Sequence, residues 1–119
     1  MKTKIYLRSV LDEGEDALSL FDSERHGGIN DLVTEVEAGT KVVWKLDKLS
    51  GIKDIANIYF KSGKDNSIGS EPRKKAWRKR WVLKIPKEAR GEEAYGIEYI
   101  KCDNEKKQID PLIKVKPPK

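Results

Sequence analysis

Apolar and polar residues alternate with a period of two along most of this chain, which is the pattern of β-strands. After a turn at Gly39, such a stretch places Val42 and Trp44 on one side and Val43 on the other. Helical periodicity is almost absent. The alternation predicts seven strands, over residues 3–10, 29–37, 41–46, 52–61, 76–85, 93–101 and 111–116.

Turn-forming residues separate these predicted strands. The longest region without periodicity covers residues 62–72, where glycine, serine and aspartate recur, and we expect a long loop there. The turn at Gly39 predicts either a hairpin or a corner at which the chain passes between sheets. The short apolar run 17–21 fits a strand fragment and a helical turn equally, so its structure is left open.

Seven strands divided by turns indicate a β-sandwich or a β-barrel, and of these we predict an all-β fold that is a single antiparallel β-sandwich. With 119 residues and no linker, the chain is predicted to form one domain over residues 1–119, with the acidic segment 12–24 and the loop 62–72 as excursions from it. The predicted core consists of the inward positions of the strands: Ile5, Leu7, Val42, Trp44, Trp81, Leu83, Tyr95, Ile97, Tyr99 and Val115.

Charge is distributed unevenly in this sequence. The net charge is +5, and residues 73–80 contain six basic residues and no acidic one, whereas residues 12–24 contain six acidic residues and no basic one. The basic residues are the predicted partner-binding residues: Arg73, Lys74, Lys75, Arg78, Lys79 and Arg80.

Composition excludes several classes of protein. A single cysteine, Cys102, allows no intrachain disulfide, and no segment has the apolar run of a signal peptide or of a membrane span. We therefore expect a cytoplasmic protein with no membrane contact. Acidic residues cluster in loops, where solvent would cover them, and Cys102 and His26 lack companions for a triad. No catalytic residue and no cofactor is predicted.

Four motifs along residues 30–116 are similar to those of the cupredoxin-like sandwich: the spacing from Val36 through Gly39 to Trp44, and the segments 81–86, 95–99 and 110–115. In that family a glycine turn leads into a strand that ends in an aromatic residue, and the last two strands flank the copper-binding loop. The resemblance implies a cupredoxin-like β-sandwich; immunoglobulin-like sandwiches share most of these features.

The copper ligands of that family are mostly missing from this chain. A blue-copper site needs two histidines and a cysteine, usually with an axial methionine. Here Cys102 occupies the loop before the last strand, but the only histidine, His26, precedes the similar region, and the only methionine is Met1. The resemblance therefore implies a scaffold without a metal, and electron transfer is not carried over.

The favoured function from sequence is a non-catalytic interaction or adaptor module that binds a protein partner through its loops and basic strand. One alternative is a protein that binds single-stranded nucleic acid through residues 73–80, with Trp77 and Trp81 stacking on bases. Period-two geometry argues against that stacking, because it places both tryptophans on the core side with Leu83. A second alternative is self-assembly through the complementary acidic and basic segments.

Overall fold

A computed structural model describes residues 2–23, 27–29, 32–47, 50–75 and 80–116. Within these ranges it contains one short 3-10 turn, Gly63–Asp65, and no helix long and apolar enough to cross a membrane. The strands are β1 (Lys2–Asp12), β2 (Glu15–Asp22), β3 (Gly27–Ile29), β4 (Val33–Val36), β5 (Lys41–Leu46), β6 (Ile52–Phe60), β7 (Arg73–Lys75), β8 (Arg80–Lys84), β9 (Gly91–Lys101), β10 (Lys106–Ile109) and β11 (Leu112–Val115).

The first sheet has six strands in the order β3-β2-β1-β5-β8-β7. Its central pair, β1 and β5, is parallel, with Ile5 opposite Trp44, and its other pairs are antiparallel. The second sheet has the order β10-β9-β11-β4, and β6 pairs with β9. There β4 and β11 are parallel, and β6 has two irregularities in its register, which is why its alternation is poor in the sequence.

Side chains from both sheets form one hydrophobic core between them. Every residue predicted for the core is buried, so that prediction is confirmed. Val43 is also buried although it lies on the opposite side of β5 from Val42 and Trp44. The sequence pattern places it outside because alternation records only the side of the strand, not what covers that side.

The all-β prediction is confirmed, but its finer form differs from the structure, whose described residues form eleven strands in two mixed sheets instead of seven in an antiparallel sandwich. Period-two alternation says nothing of the direction of a neighbouring strand, so it gave no sign of the parallel pairs. Short strands such as β7 and β10 consist largely of polar residues, and they show no alternation of apolar side chains.

Two predicted boundaries change in the structure. The acidic segment, expected as an excursion, supplies β2, and the undecided run 17–21 belongs to this strand, which pairs with β1 over its whole length. The predicted strand 29–37 is divided between β3 in the first sheet and β4 in the second. Gly39, with φ +84°, forms the corner at which the chain returns to the first sheet.

Candidate functional site

The structure divides the six predicted partner-binding residues into three groups. Arg73, Lys74 and Lys75 form β7, and Arg80 begins β8. Arg78 and Lys79, like Trp77, lie outside the described residues. Strand β7 pairs with β8 at the edge of the first sheet, with Arg73 opposite Val82 and Lys75 opposite Arg80.

Lys74 has a different role from its two neighbours in β7. It lies opposite the buried Trp81, on the side of the sheet that faces the core, and its Nζ contacts Asp54 Oδ2 of β6 at 2.9 Å. The Trp81 indole nitrogen donates to the Ile55 carbonyl at 3.1 Å in the same region. Both contacts join the edge of the first sheet to β6, so Lys74 stabilises the fold.

Arg73 and Lys75 lie on the outer side of the first sheet, and the strand register extends this side across four strands. Lys84 of β8 is opposite Lys41 of β5, which is opposite Lys2 of β1. Because side chains alternate along each strand, the basic residues at every second position share this surface. We call it the basic face: Lys2, Lys4, Arg8, Lys41, Lys45, Arg73, Lys75, Arg80 and Lys84.

A shallow groove of about 470 Å³ crosses the β7 side of the basic face. Its basic lining comes from β5, β7 and β8, namely Lys41, Arg73, Lys75 and Lys84, all of which are exposed. Glu71 contributes the acidic side chain of this lining, at the point where the long loop enters β7. The groove is therefore a concave surface whose lining contains more basic than acidic side chains, which favours anions.

From Lys2 to Arg8 in β1, and throughout β5, β7 and β8, each charged residue on the outer side is basic. The apolar positions among them are covered: Val43 is buried and Val82 is half-buried. Long lysine and arginine stems can cover such side chains while their charged groups remain in water.

The outer side of the second sheet has a different arrangement of charge. Lys106 contacts Glu98 at 3.3 Å and Lys61 contacts Asp110 at 2.7 Å, while Lys114 lies opposite both Glu92 and Glu35 in the register. The hydrogen bond to Asp110 raises the pKa of Lys61, and the same contact lowers the pKa of Asp110. Acids and bases compensate there, so the excess of positive charge belongs to the first sheet.

An aromatic pair adjoins the basic face. Tyr6 of β1 and Phe21 of β2 are register partners, and their rings stack with centroids 5.1 Å apart and planes 18° apart. Tyr6 is half-buried, whereas 38% of Phe21 is exposed. Trp81, which directly follows the basic residues 73–80, is buried, which prevents it from stacking on a base.

Other chemistry is sparse in the described part of the chain. It contains no group of three or more His, Cys, Asp or Glu residues that could hold a metal ion. Cys102 is an exposed free cysteine in the turn between β9 and β10, and its backbone N–H donates to the Gly51 carbonyl. His26 lies outside the described residues.

The sequence prediction named Arg73, Lys75 and Arg80 of the basic face but did not include its basic residues in β1 and β5, or Lys84 of β8. The sequence does contain a pattern that indicates these residues: Lys41 and Lys45 alternate with core residues on one predicted strand, and Lys84 does so on another. Only the register shows that these separate strands bring them to one surface.

No family model and no curated protein matches the chain. The resemblance to the cupredoxin-like sandwich stays a prediction, and the candidate site is defined by its geometry alone.

Proposed function

We propose that this protein binds nucleic acid through the basic face, as a non-catalytic binding module. The observation that supports this proposal is that, from Lys2 to Arg8 in β1 and throughout β5, β8 and β7, every charged residue on the outer side is basic. A surface on which several lysines and arginines outnumber the acids, here Glu71 in the groove, attracts a phosphate backbone, and the release of condensed counterions favours the complex.

The dimensions of the basic face fit a chain of phosphates. Neighbouring strands are about 4.8 Å apart, so the face extends for about 14 Å from β1 to β7, and alternate residues of one strand are about 6.6 Å apart. Cations therefore occur in both directions at short intervals. The groove lined by Lys41, Arg73 and Lys84 provides a concave path across three of these strands.

A protein partner is the weaker fit to the same surface. The centre of a protein interface is depleted of lysine and contains aromatic or other apolar anchors. On the basic face Val43 is buried, Val82 is half-buried, and the exposed groups of the groove are mainly lysine and arginine. The interaction module predicted from sequence stays a prediction, as does the cytoplasmic location, which is compatible with nucleic-acid binding.

The test is fluorescence polarisation with labelled DNA and RNA at about 0.1 M salt, using charge-matched triple variants. Arg73→Gln/Lys75→Gln/Lys84→Gln removes three charges from the basic face, and Lys106→Gln/Lys114→Gln/Lys116→Gln removes three from the second sheet and the residue after it. We expect the first variant to weaken binding by about tenfold or more, because three phosphate contacts are lost, and the second by less than about twofold.

Three results would overturn this proposal. The first is equal weakening by both triple variants, which would show that net charge and not the basic face determines binding. The second is the absence of binding to any nucleic acid at this salt concentration. Vesicles of anionic lipid serve as a further probe, and tighter binding to them than to DNA and RNA would assign the basic face to membranes instead.

A further inference from the structure

One row of residues crosses the whole outer side of the first sheet. The register aligns Gly27 of β3 with Phe21 of β2, and Phe21 with Tyr6 of β1. Tyr6 is opposite Lys45 of β5. In the next strand, β8, Arg80 precedes Trp81, the register partner of Trp44, and so continues the row. Arg80 is in turn opposite Lys75 of β7, at the far edge of the sheet. The row thus contains a stacked aromatic pair with cations on one side and a glycine on the other.

Gly27 leaves space beside the Phe21 ring. It has no side chain, and a Cβ placed on it would lie 3.7 Å from the Phe21 Cβ and 3.4 Å from the Leu20 carbonyl oxygen. Phe21 is one of few large apolar side chains in the described ranges that are exposed, at 38%. One side of Phe21 is covered by Tyr6, so the side over Gly27 is where a further ring can stack.

We infer that the bound nucleic acid is single-stranded and that one of its bases stacks on Phe21 over Gly27, extending the Tyr6–Phe21 pair. This inference rests on the proposed function. Bases within a duplex are already stacked on one another and do not present a free face, whereas an unpaired base does. The cations on the other side of Tyr6 would contact the phosphates of the same strand.

The position of the aromatic pair supports this arrangement over a purely structural role. A cross-strand aromatic pair stabilises a sheet wherever it lies, and stacking on each other accounts for the facing sides of Tyr6 and Phe21. It does not account for an exposed ring beside a glycine, in line with the basic residues. Proteins that bind single strands combine a basic groove with such an aromatic platform.

Two variants test the stacking without changing a charge. Phe21→Ala removes the platform, and Gly27→Val fills the space over Gly27 while leaving both rings in place. The Gly27→Val variant should fold, since the added Cβ makes only ordinary contacts, φ at residue 27 is not positive, and valine favours strands. Phe21→Trp keeps a larger stacking surface and serves as the conservative control.

Each variant is titrated against a single-stranded oligonucleotide, a duplex of the same length, and heparin as a polyanion without bases. We expect the wild type to prefer the single strand, and Phe21→Ala and Gly27→Val to weaken that binding by about fivefold or more while Phe21→Trp retains it. Affinity for the duplex and for heparin should remain unchanged, because all charges remain.

Two results would overturn the stacking. In the first, neither Phe21→Ala nor Gly27→Val changes the affinity for the single strand. In the second, the variants lose the same affinity for the single strand, the duplex and heparin. In the first case nucleic-acid binding through the basic face would still stand. Failure of the wild type to bind any of the three ligands would instead remove the proposed function itself, so the two failures are distinguishable.

Discussion

Trp44 and Tyr95 connect the two sheets through a buried hydrogen bond. The Trp44 indole Nε1 donates to the Tyr95 hydroxyl at 3.2 Å, and the rings meet edge to face with centroids 5.5 Å apart. Trp44 belongs to β5 of the first sheet and Tyr95 to β9 of the second. Burial raises the pKa of Tyr95 far above its ordinary value, so the hydroxyl stays neutral.

Tyr95→Phe should lower the free energy of unfolding by about 1–3 kcal/mol, because it leaves the buried Trp44 N–H without its acceptor. Urea denaturation followed by tryptophan fluorescence measures this change. Tyr59→Phe is the control: its hydroxyl accepts from Gln108 Nε2 at 2.6 Å on the exposed side of the second sheet, where water can replace the lost bond. Equal losses in both variants would contradict the role given to burial.

Gly96 allows the Tyr59 ring to lie directly on the second sheet. The two residues are register partners, and a Cβ on Gly96 would come within 2.5 Å of the Tyr59 Cζ. Gly96→Ala should therefore displace the ring and lower the free energy of unfolding by about 1–3 kcal/mol.

The double variant Tyr59→Ala/Gly96→Ala tests the cause of that loss. Once the ring is absent, adding the methyl group to Gly96 should cost less than about 0.5 kcal/mol in the same denaturation experiment, since nothing is displaced. A cost as large as in the wild type would show that the backbone of β9, and not contact with Tyr59, requires glycine.

The alternation of side chains made the core predictable but left strand pairing open. Trp44 and Tyr95 are 51 residues apart, and each was assigned to the core from its own strand. That they bond to each other depends on the parallel pairing of β1 with β5 and on the placement of β9 in the other sheet. Those features depend on contacts between distant segments, which period-two patterns do not record.

The candidate site was predictable only where its residues are neighbours in sequence. The basic segment drew attention to Lys74, which the structure places against Asp54 toward the other sheet. It did not draw attention to Lys41 or Lys2, which are isolated basic residues in strands that contain apolar ones. A surface formed by residues of several strands can be recognised only when the register between those strands is known.

Glu93 should make the long loop sensitive to acid. Its carboxylate accepts hydrogen bonds from the Ser67 backbone N–H and the Ser62 hydroxyl, holding the loop against β9. The bond from the Ser67 backbone is the main reason that the pKa of Glu93 is lowered. Because the pKa of Glu93 is lower in the folded state than in the unfolded chain, its ionised carboxylate stabilises the loop contact at pH values above the ordinary glutamate pKa. This contribution is lost as the pH falls below about 4.

Amide hydrogen exchange of residues 62–72 between pH 6 and pH 3.5 measures this effect, after correction for the intrinsic rate. Protection should fall with pH in the wild type, whereas Glu93→Gln should already have lower protection at pH 6 and little further change. Glu105→Gln, in the turn after β9, leaves the loop contacts intact and provides the control. A wild-type loop whose protection does not depend on pH would contradict the prediction.

Salt should weaken nucleic-acid binding steeply if the basic face contacts phosphates. With about five phosphates neutralised, the slope of log K against log salt concentration should be about −3.5 for a single strand. Arg73→Gln/Lys75→Gln should reduce the steepness by about 1.4, because two phosphate contacts are lost. Polarisation titrations from about 0.05 to 0.3 M salt measure the slope, and one shallower than about −1 would exclude extensive phosphate contact.

Replacement of Glu71 should tighten nucleic-acid binding, whereas replacement of the basic residues should weaken it. The Glu71 carboxylate lines the groove together with Arg73, Lys75 and Lys84, where it would repel a phosphate. Replacement by glutamine removes a repulsion of about 1 kcal/mol at an exposed site, so Glu71→Gln should tighten binding by up to about fivefold. Glu105→Gln makes the same change of net charge in the β9–β10 turn and should leave affinity within about twofold. Equal tightening by both variants would mean that the phosphates respond to overall charge and that the groove is not their path.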